Sequence, residues 1–205
     1  MTAPSLTLTL AEPITLPAGL RRIVLTGFMG AGKTSVGRLL AEALGWSFLD
    51  LDAHLEARAN ASIPELFALH GESRFRRLES SALANALSRT ETVLALGGGT
   101  PEEMTNRLLL EQTPGTLVVF LDAPFPTLFD RCMLQAIEVS ASPESLRPVL
   151  ASPEQAESRF RTRHPLYQRL ARMTIHTADL APVAVAQSLI AVLGARGAEG
   201  GIRER

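Results

Sequence analysis

A chain of 205 residues with 46% apolar and 20% charged side chains is long enough for one α/β domain with a sizeable core and short for two. Its net charge of −1 leaves no electrostatic footprint for nucleic acid or an anionic membrane, so neither is an expected partner. The single cysteine, Cys132, excludes an internal disulfide and points to a cytoplasmic location, and the four histidines show no ligand-like spacing with it for structural zinc.

Residues 1–20 lack the basic start and continuous apolar core of a signal peptide and are expected to be an N-terminal extension. No apolar run reaches the roughly 18 residues that a membrane span needs. "RRIVLTG" (21–27) is a short apolar run stopped by glycine, and helical spacing follows over 33–44 through Val36, Leu39, Leu40 and Leu44. "WSFLDLD" (46–52) reads as the next strand, and a helical region runs over 53–88 with interruptions near Pro64 and Gly71. Strands at 92–97 and 116–122 enclose a helix that starts near Pro101. Helical patterns at 126–136 and 153–171 bracket a polar stretch, and a strand at 172–177 and a helix at 182–194 complete the order. Residues 195–205 are polar and Gly-rich, and a flexible tail is expected there. Strands separated by helices imply a parallel sheet covered on both faces.

Chemistry enters with "GFMGAGKTSVG" (27–37), which holds the only lysine of the chain; the other nineteen basic residues are arginines. Gly27–Thr34 fits G-x-x-x-x-G-K-[ST] at every position, directly after a strand and before a helix, which is the P-loop arrangement. The N–H groups around Gly30, Ala31, Gly32, Lys33, Thr34 and Ser35 would converge on the phosphates of ATP, helped by the helix N-terminus. A compact ammonium fits between β- and γ-phosphates where a planar guanidinium does not, and Thr34 offers a hydroxyl to Mg²⁺. A GTPase would need a second lysine to read guanine, and motor or transport ATPases need more chain. A small phosphotransferase remains.

Asp50 and Asp52 end a predicted strand two residues apart, so both carboxylates can face the phosphates beyond the sheet as metal ligand and base candidates. Asp122 fits either a Walker-B-like strand end or a cap for the next helix, the cap being favoured. Arg76 and Glu79 share a helix face, so the glutamate can orient the guanidinium; alone, a surface ion pair would explain them as well. "LGGGTP" (96–101) leaves room for close approach to the backbone, or makes a plain turn. Arg147 in "LRPVL" and Arg163 in "RHPLY" fit lid or substrate arginines, although such residues are usually solvent-exposed.

In this order, "GFMGAGKTSVG", "FLDLD", "SIPELFALHGESRFRRLE", "ALGGGT", "RPVL" and "RHPLY" resemble the shikimate kinase family over residues 21–194. The resemblance implies a P-loop NTPase of the nucleoside-monophosphate-kinase type, an α/β three-layer fold with a five-stranded parallel sheet and a mobile lid at about 134–150. It implies ATP-dependent phosphorylation of the 3-hydroxyl of shikimate by a cytoplasmic enzyme that uses Mg²⁺, and a monomer is expected. Asp52 would bind the ring hydroxyls and take or steer the attacking proton. Arg76 and Arg163 would grip the carboxylate, with Glu79 orienting Arg76. Gly98 would offer its N–H to the substrate, Asp50 would help Thr34 hold Mg²⁺, and Arg147 would close onto the phosphates. The stretch Arg131–Arg147 is longer than many family lids, and Arg131 is placed near the adenine. A sugar-acid kinase such as gluconate kinase is the rival enzyme reading. A nucleotide-binding protein without activity is the rival from another class.

Overall fold

Residues 14–139 and 152–198 are described by the computed structural model of the chain. Strands β1 (Arg22–Thr26), β2 (Ser47–Asp50), β3 (Thr92–Ala95), β4 (Thr116–Asp122) and β5 (Met173–His176) form one sheet in the order β2-β3-β1-β4-β5. Every pairing is parallel. Helices α1 (Lys33–Leu44), α2 (Leu51–Ala59), α3 (Ile63–Leu87), α4 (Met104–Gln112), α5 (Phe125–Val139), α6 (Pro153–Leu170) and α7 (Pro182–Ala198) connect or follow the strands, with a 3-10 turn at Thr100–Glu102. No helix among the described residues is long and apolar enough to cross a membrane.

The alternation of side chains along each strand divides the core in two. Ile23 and Leu25 of β1 join Val93, Leu117, Val119 and the buried faces of α1 and α7. Val24, Leu94 and Val118 point the other way, onto Leu51, Leu66, Leu83 and Leu110. Burial on both faces explains why "IVL" and "LVVFL" are continuous apolar runs. A leucine-sized side chain in such a position contributes about 1.5–3 kcal/mol by burial.

Local chemistry sets the helix boundaries. Ser62 caps α3 in a reciprocal box with Glu65, and Pro64 sits in its first turn, where a missing N–H costs nothing. Gly71 breaks α3 with φ 69 and ψ 172, a backbone region essentially closed to other residues. The two halves are tied by the stacked rings of Phe67 and Phe75, 4.1 Å apart. Both expected interruptions are therefore present.

Several expected boundaries differ. β2 stops at Asp50, and Asp52 lies in the first turn of α2, because the Asp50 carboxylate accepts from the N–H groups of Asp52 and Ala53 and starts a helix there. α7 runs to Ala198, so the first four residues of the expected tail, 195–198, are helical. Of the expected extension, Ile14 and Leu16 pack on the core. A side chain at Gly197 would collide with the Thr15 backbone, so the glycine lets the segment cross α7 closely. The start of the expected lid, 134–139, belongs to α5. The remainder, 140–150, Arg147 included, lies outside the described residues.

Candidate active site

The sheet order puts β1 at the centre, and the loop after it is the P-loop. Gly30 has φ 75 and packs under the Leu128 carbonyl, leaving no room for a Cβ. The loop then opens α1 without any side-chain cap, so backbone N–H groups are left facing the cavity above. Lys33 reaches back along the loop and donates to the carbonyl oxygens of Gly27 at 2.8 Å and Phe28 at 2.9 Å.

The adjacent strand, β3, separates β1 from β2 and carries the three glycines at its end. Their room is taken by the protein itself. A Cβ on Gly97 would lie 2.6 Å from Asp52 Oδ1, and one on Gly99 would lie 2.9 Å from Arg76 Nη1 and 3.0 Å from Glu102 Oε2. The glycines thus admit the Asp52 carboxylate and the arginine cluster to the strand end. Gly98 accepts a 2.6 Å hydrogen bond on its carbonyl from Tyr167, whose phenol is fully buried and has its pKa pushed up by that burial.

Asp50 serves two purposes at once. One carboxylate oxygen caps α2, and the other accepts from the Thr34 hydroxyl at 2.9 Å. This hydroxyl–carboxylate pair at the edge of the P-loop is the donor set that an octahedral, oxygen-seeking Mg²⁺ takes, alongside phosphate and water. The residues fit that ion.

Arg76 and Arg163 come together from α3 and α6. Arg76 donates to Glu79 at 3.0 Å, and the second oxygen of Glu79 accepts from Thr100 at 2.8 Å, so this buried carboxylate is fixed from both sides. Burial pushes the Arg76 pKa down, but the carboxylates of Glu79, Glu102 and Glu72 outweigh it and the net shift is upward; Arg76 stays charged. Glu102 joins the two arginines: its Oε2 lies 3.3 Å from Arg76 Nη2 and 2.8 Å from Arg163 Nη2.

Three adjoining cavities link these groups. The first, about 240 Å³, runs from Gly30 and Ser35 to Arg131, Leu180 and Pro182. The second, about 290 Å³, shares Gly30, Gly32 and Ser35 with it and adds Lys33, Thr34, Asp50 and Asp52. The third, about 440 Å³, shares Asp52, Gly97, Gly98 and Arg163 with the second and contains Arg76, Glu79 and Phe67. Asp52 therefore stands at the joint between a phosphate-sized space and an arginine-lined one. The trough has a P-loop end and an arginine-lined end.

All the expected site residues within the described range line this trough. Arg131 is held toward its outer end by the Ala178 carbonyl at 2.9 Å. Asp122 spends its carboxylate on His164 at 3.1 Å and His176 at 3.6 Å, not on the backbone of the following helix. Sequence reasoning missed Glu102, Thr100, Tyr167 and Arg159. Arg159 lies four residues before Arg163, so helical spacing puts both on one face, a signal that was available.

A family model described as shikimate kinase matches residues 29–194. A shikimate kinase from Limosilactobacillus fermentum is 40% identical over 172 residues, 83% of this chain and 94% of that protein. Among solved structures, shikimate kinase from Acinetobacter baumannii in complex with shikimate superposes with a TM-score of 0.74 at 36% identity, covering 84% of this chain and 92% of the other. A gluconokinase from Sinorhizobium meliloti aligns over 85% of this chain and 94% of its own, with a TM-score of 0.54 and 20% identity, a likeness of fold alone.

Proposed function

Because the chain belongs to the shikimate kinase family, and is thus an ATP-dependent kinase of the P-loop, nucleoside-monophosphate-kinase-like fold, we propose how its own residues phosphorylate the 3-hydroxyl of shikimate. The observation that supports the reading is the placing of Asp52 where the phosphate-sized cavity meets the arginine-lined one.

ATP binds with its base toward Arg131, Leu180 and Pro182 and its phosphates against the N–H groups of Gly30 through Ser35. Lys33 leaves the Gly27 and Phe28 carbonyls for the β- and γ-phosphates and carries a point charge to the transferring group. Mg²⁺, when bound, would offset the negative charge of the phosphates. The Thr34 hydroxyl and the Asp50 carboxylate oxygen beside it would hold it, while the other Asp50 oxygen caps α2.

At the other end the shikimate carboxylate meets Arg76 and Arg163, with Glu79 and Thr100 keeping Arg76 in one orientation. Gly98 presents its N–H, and Tyr167 holds the next peptide unit in place through the Gly98 carbonyl. The ring hydroxyls then face Asp52, which aligns the 3-hydroxyl and takes its proton as the new O–P bond forms and the bond from the γ-phosphorus to the departing ADP oxygen breaks. Arg147 would close over the phosphates; this role rests on the sequence resemblance. The protein acts as a monomer in this reading, and the cytoplasm suits a chain with one cysteine.

The clamp is tested with the methyl ester of shikimate. Losing one partner of a desolvated charge pair costs about 2–5 kcal/mol, or roughly 30-fold and upward in kcat/KM. The wild-type enzyme is expected to use the ester that poorly, and Arg76→Ala to treat acid and ester nearly alike. Equal wild-type rates on both would remove the clamp and return gluconate-type acceptors to consideration.

A further inference from the structure

The place between Arg76 and Arg163 is already filled by a carboxylate of this chain. Glu102 lies at the end of the 3-10 turn that follows the three glycines, and the missing side chain at Gly99 lets its Oε2 reach both guanidinium groups. The geometry is poor for a permanent pair. A single oxygen serves both arginines, at 3.3 and 2.8 Å, where a carboxylate offering an oxygen to each would suit two forks better. Arg163 Nε is buried with no hydrogen-bond partner, so that guanidinium is incompletely satisfied. Glu79, by contrast, is buried and bonded through both oxygens, and it has nowhere to go.

From this contrast we infer that Glu102 is an internal competitor for the acceptor's anion site: it bridges the two arginines in the free protein and leaves when a substrate carboxylate enters. Its side chain is 31% exposed, so it has a path to solvent, and Arg159 lines the same cavity as a cation for it to approach. The consequence is selectivity. Simple carboxylate anions must displace Glu102 with no other contacts to help them, whereas an acceptor that also engages Asp52 and Gly98 gains enough to do so. Glu102 thereby decides which anions occupy the site.

This inference rests on the reading that Arg76 and Arg163 receive the acceptor's carboxylate, and the experiment separates the two. Shikimate binding without nucleotide is measured by calorimetry for the wild type, Glu102→Gln, Glu102→Ala and Arg76→Ala, each checked for folding by thermal melting. Cyclohexanecarboxylate serves as a probe that carries the anion without the hydroxyls. Both Glu102 variants are expected to bind shikimate about three- to tenfold tighter and to gain at least as much for the probe. Glu102→Gln keeps the side-chain volume should the alanine fail to fold. Unchanged or weaker binding in Glu102→Gln, with Arg76→Ala still losing affinity, overturns the competition and leaves the clamp standing. An Arg76→Ala protein that binds shikimate like the wild type overturns the clamp, and the competition with it.

Discussion

Lys33→Ala is expected to lower kcat by at least about 10³-fold, the upper range for removing one preorganised donor at a developing charge, while thermal stability changes little. The side chain is only partly buried and donates to two carbonyls of its own loop, and it is no part of the apolar core. Lys33→Arg is expected to fail as a rescue. The ammonium sits within hydrogen-bond reach of two successive carbonyls in a loop that packs, at Gly30, directly under the Leu128 backbone. A planar fork needs more width and directs its donors differently. In a chain with nineteen arginines, one lysine at this position reflects that shape requirement. Steady-state kinetics on both variants checks the point, and a Lys33→Arg enzyme with nearly normal kcat would sink it.

Asp52→Asn is expected to reduce kcat/KM for shikimate by about 10²–10⁴, the usual contribution of a positioned general base. Asparagine has the same shape, so the close approach to Gly97 survives, but the amide cannot accept the hydroxyl proton. Nucleotide affinity should persist, because Asp50, and not Asp52, bonds Thr34. Titration of each variant with ADP and Mg²⁺ distinguishes the two acids. Should ADP affinity collapse in Asp52→Asn while shikimate kinetics remain normal, Asp52 belongs to the metal site.

Much of this was legible in the sequence, for identifiable reasons. Strand and helix order followed from apolar runs separated by 3.6-period segments, and Gly71 and Pro64 marked where the long helical region breaks. The P-loop was legible because its spacing is dictated by the phosphates. Asp52 was placed on a strand because "FLDLD" alternates like one. The Asp50 side chain overrides that pattern by capping a helix two residues early. The glycines of "LGGGTP" signalled close approach, but a sequence does not show whose atoms approach; they are those of Asp52, Arg76 and Glu102. Glu102 itself was invisible for a related reason. It lies 26 residues from Arg76 and 61 from Arg163, so no local periodicity connects them, and only the sheet order brings α3, α6 and the 3-10 turn together.

Coupled ADP formation by the purified wild-type chain, followed with ATP and Mg²⁺ while the acceptor is varied, tests the central claim most directly. A trough with Asp52 at its joint and two arginines beyond it requires ADP to appear one-for-one with shikimate consumed, with little turnover on gluconate, on the methyl ester or on water alone. ADP release at the same rate with and without shikimate, or a preference for gluconate, would contradict the assignment of the arginine-lined cavity as the shikimate site.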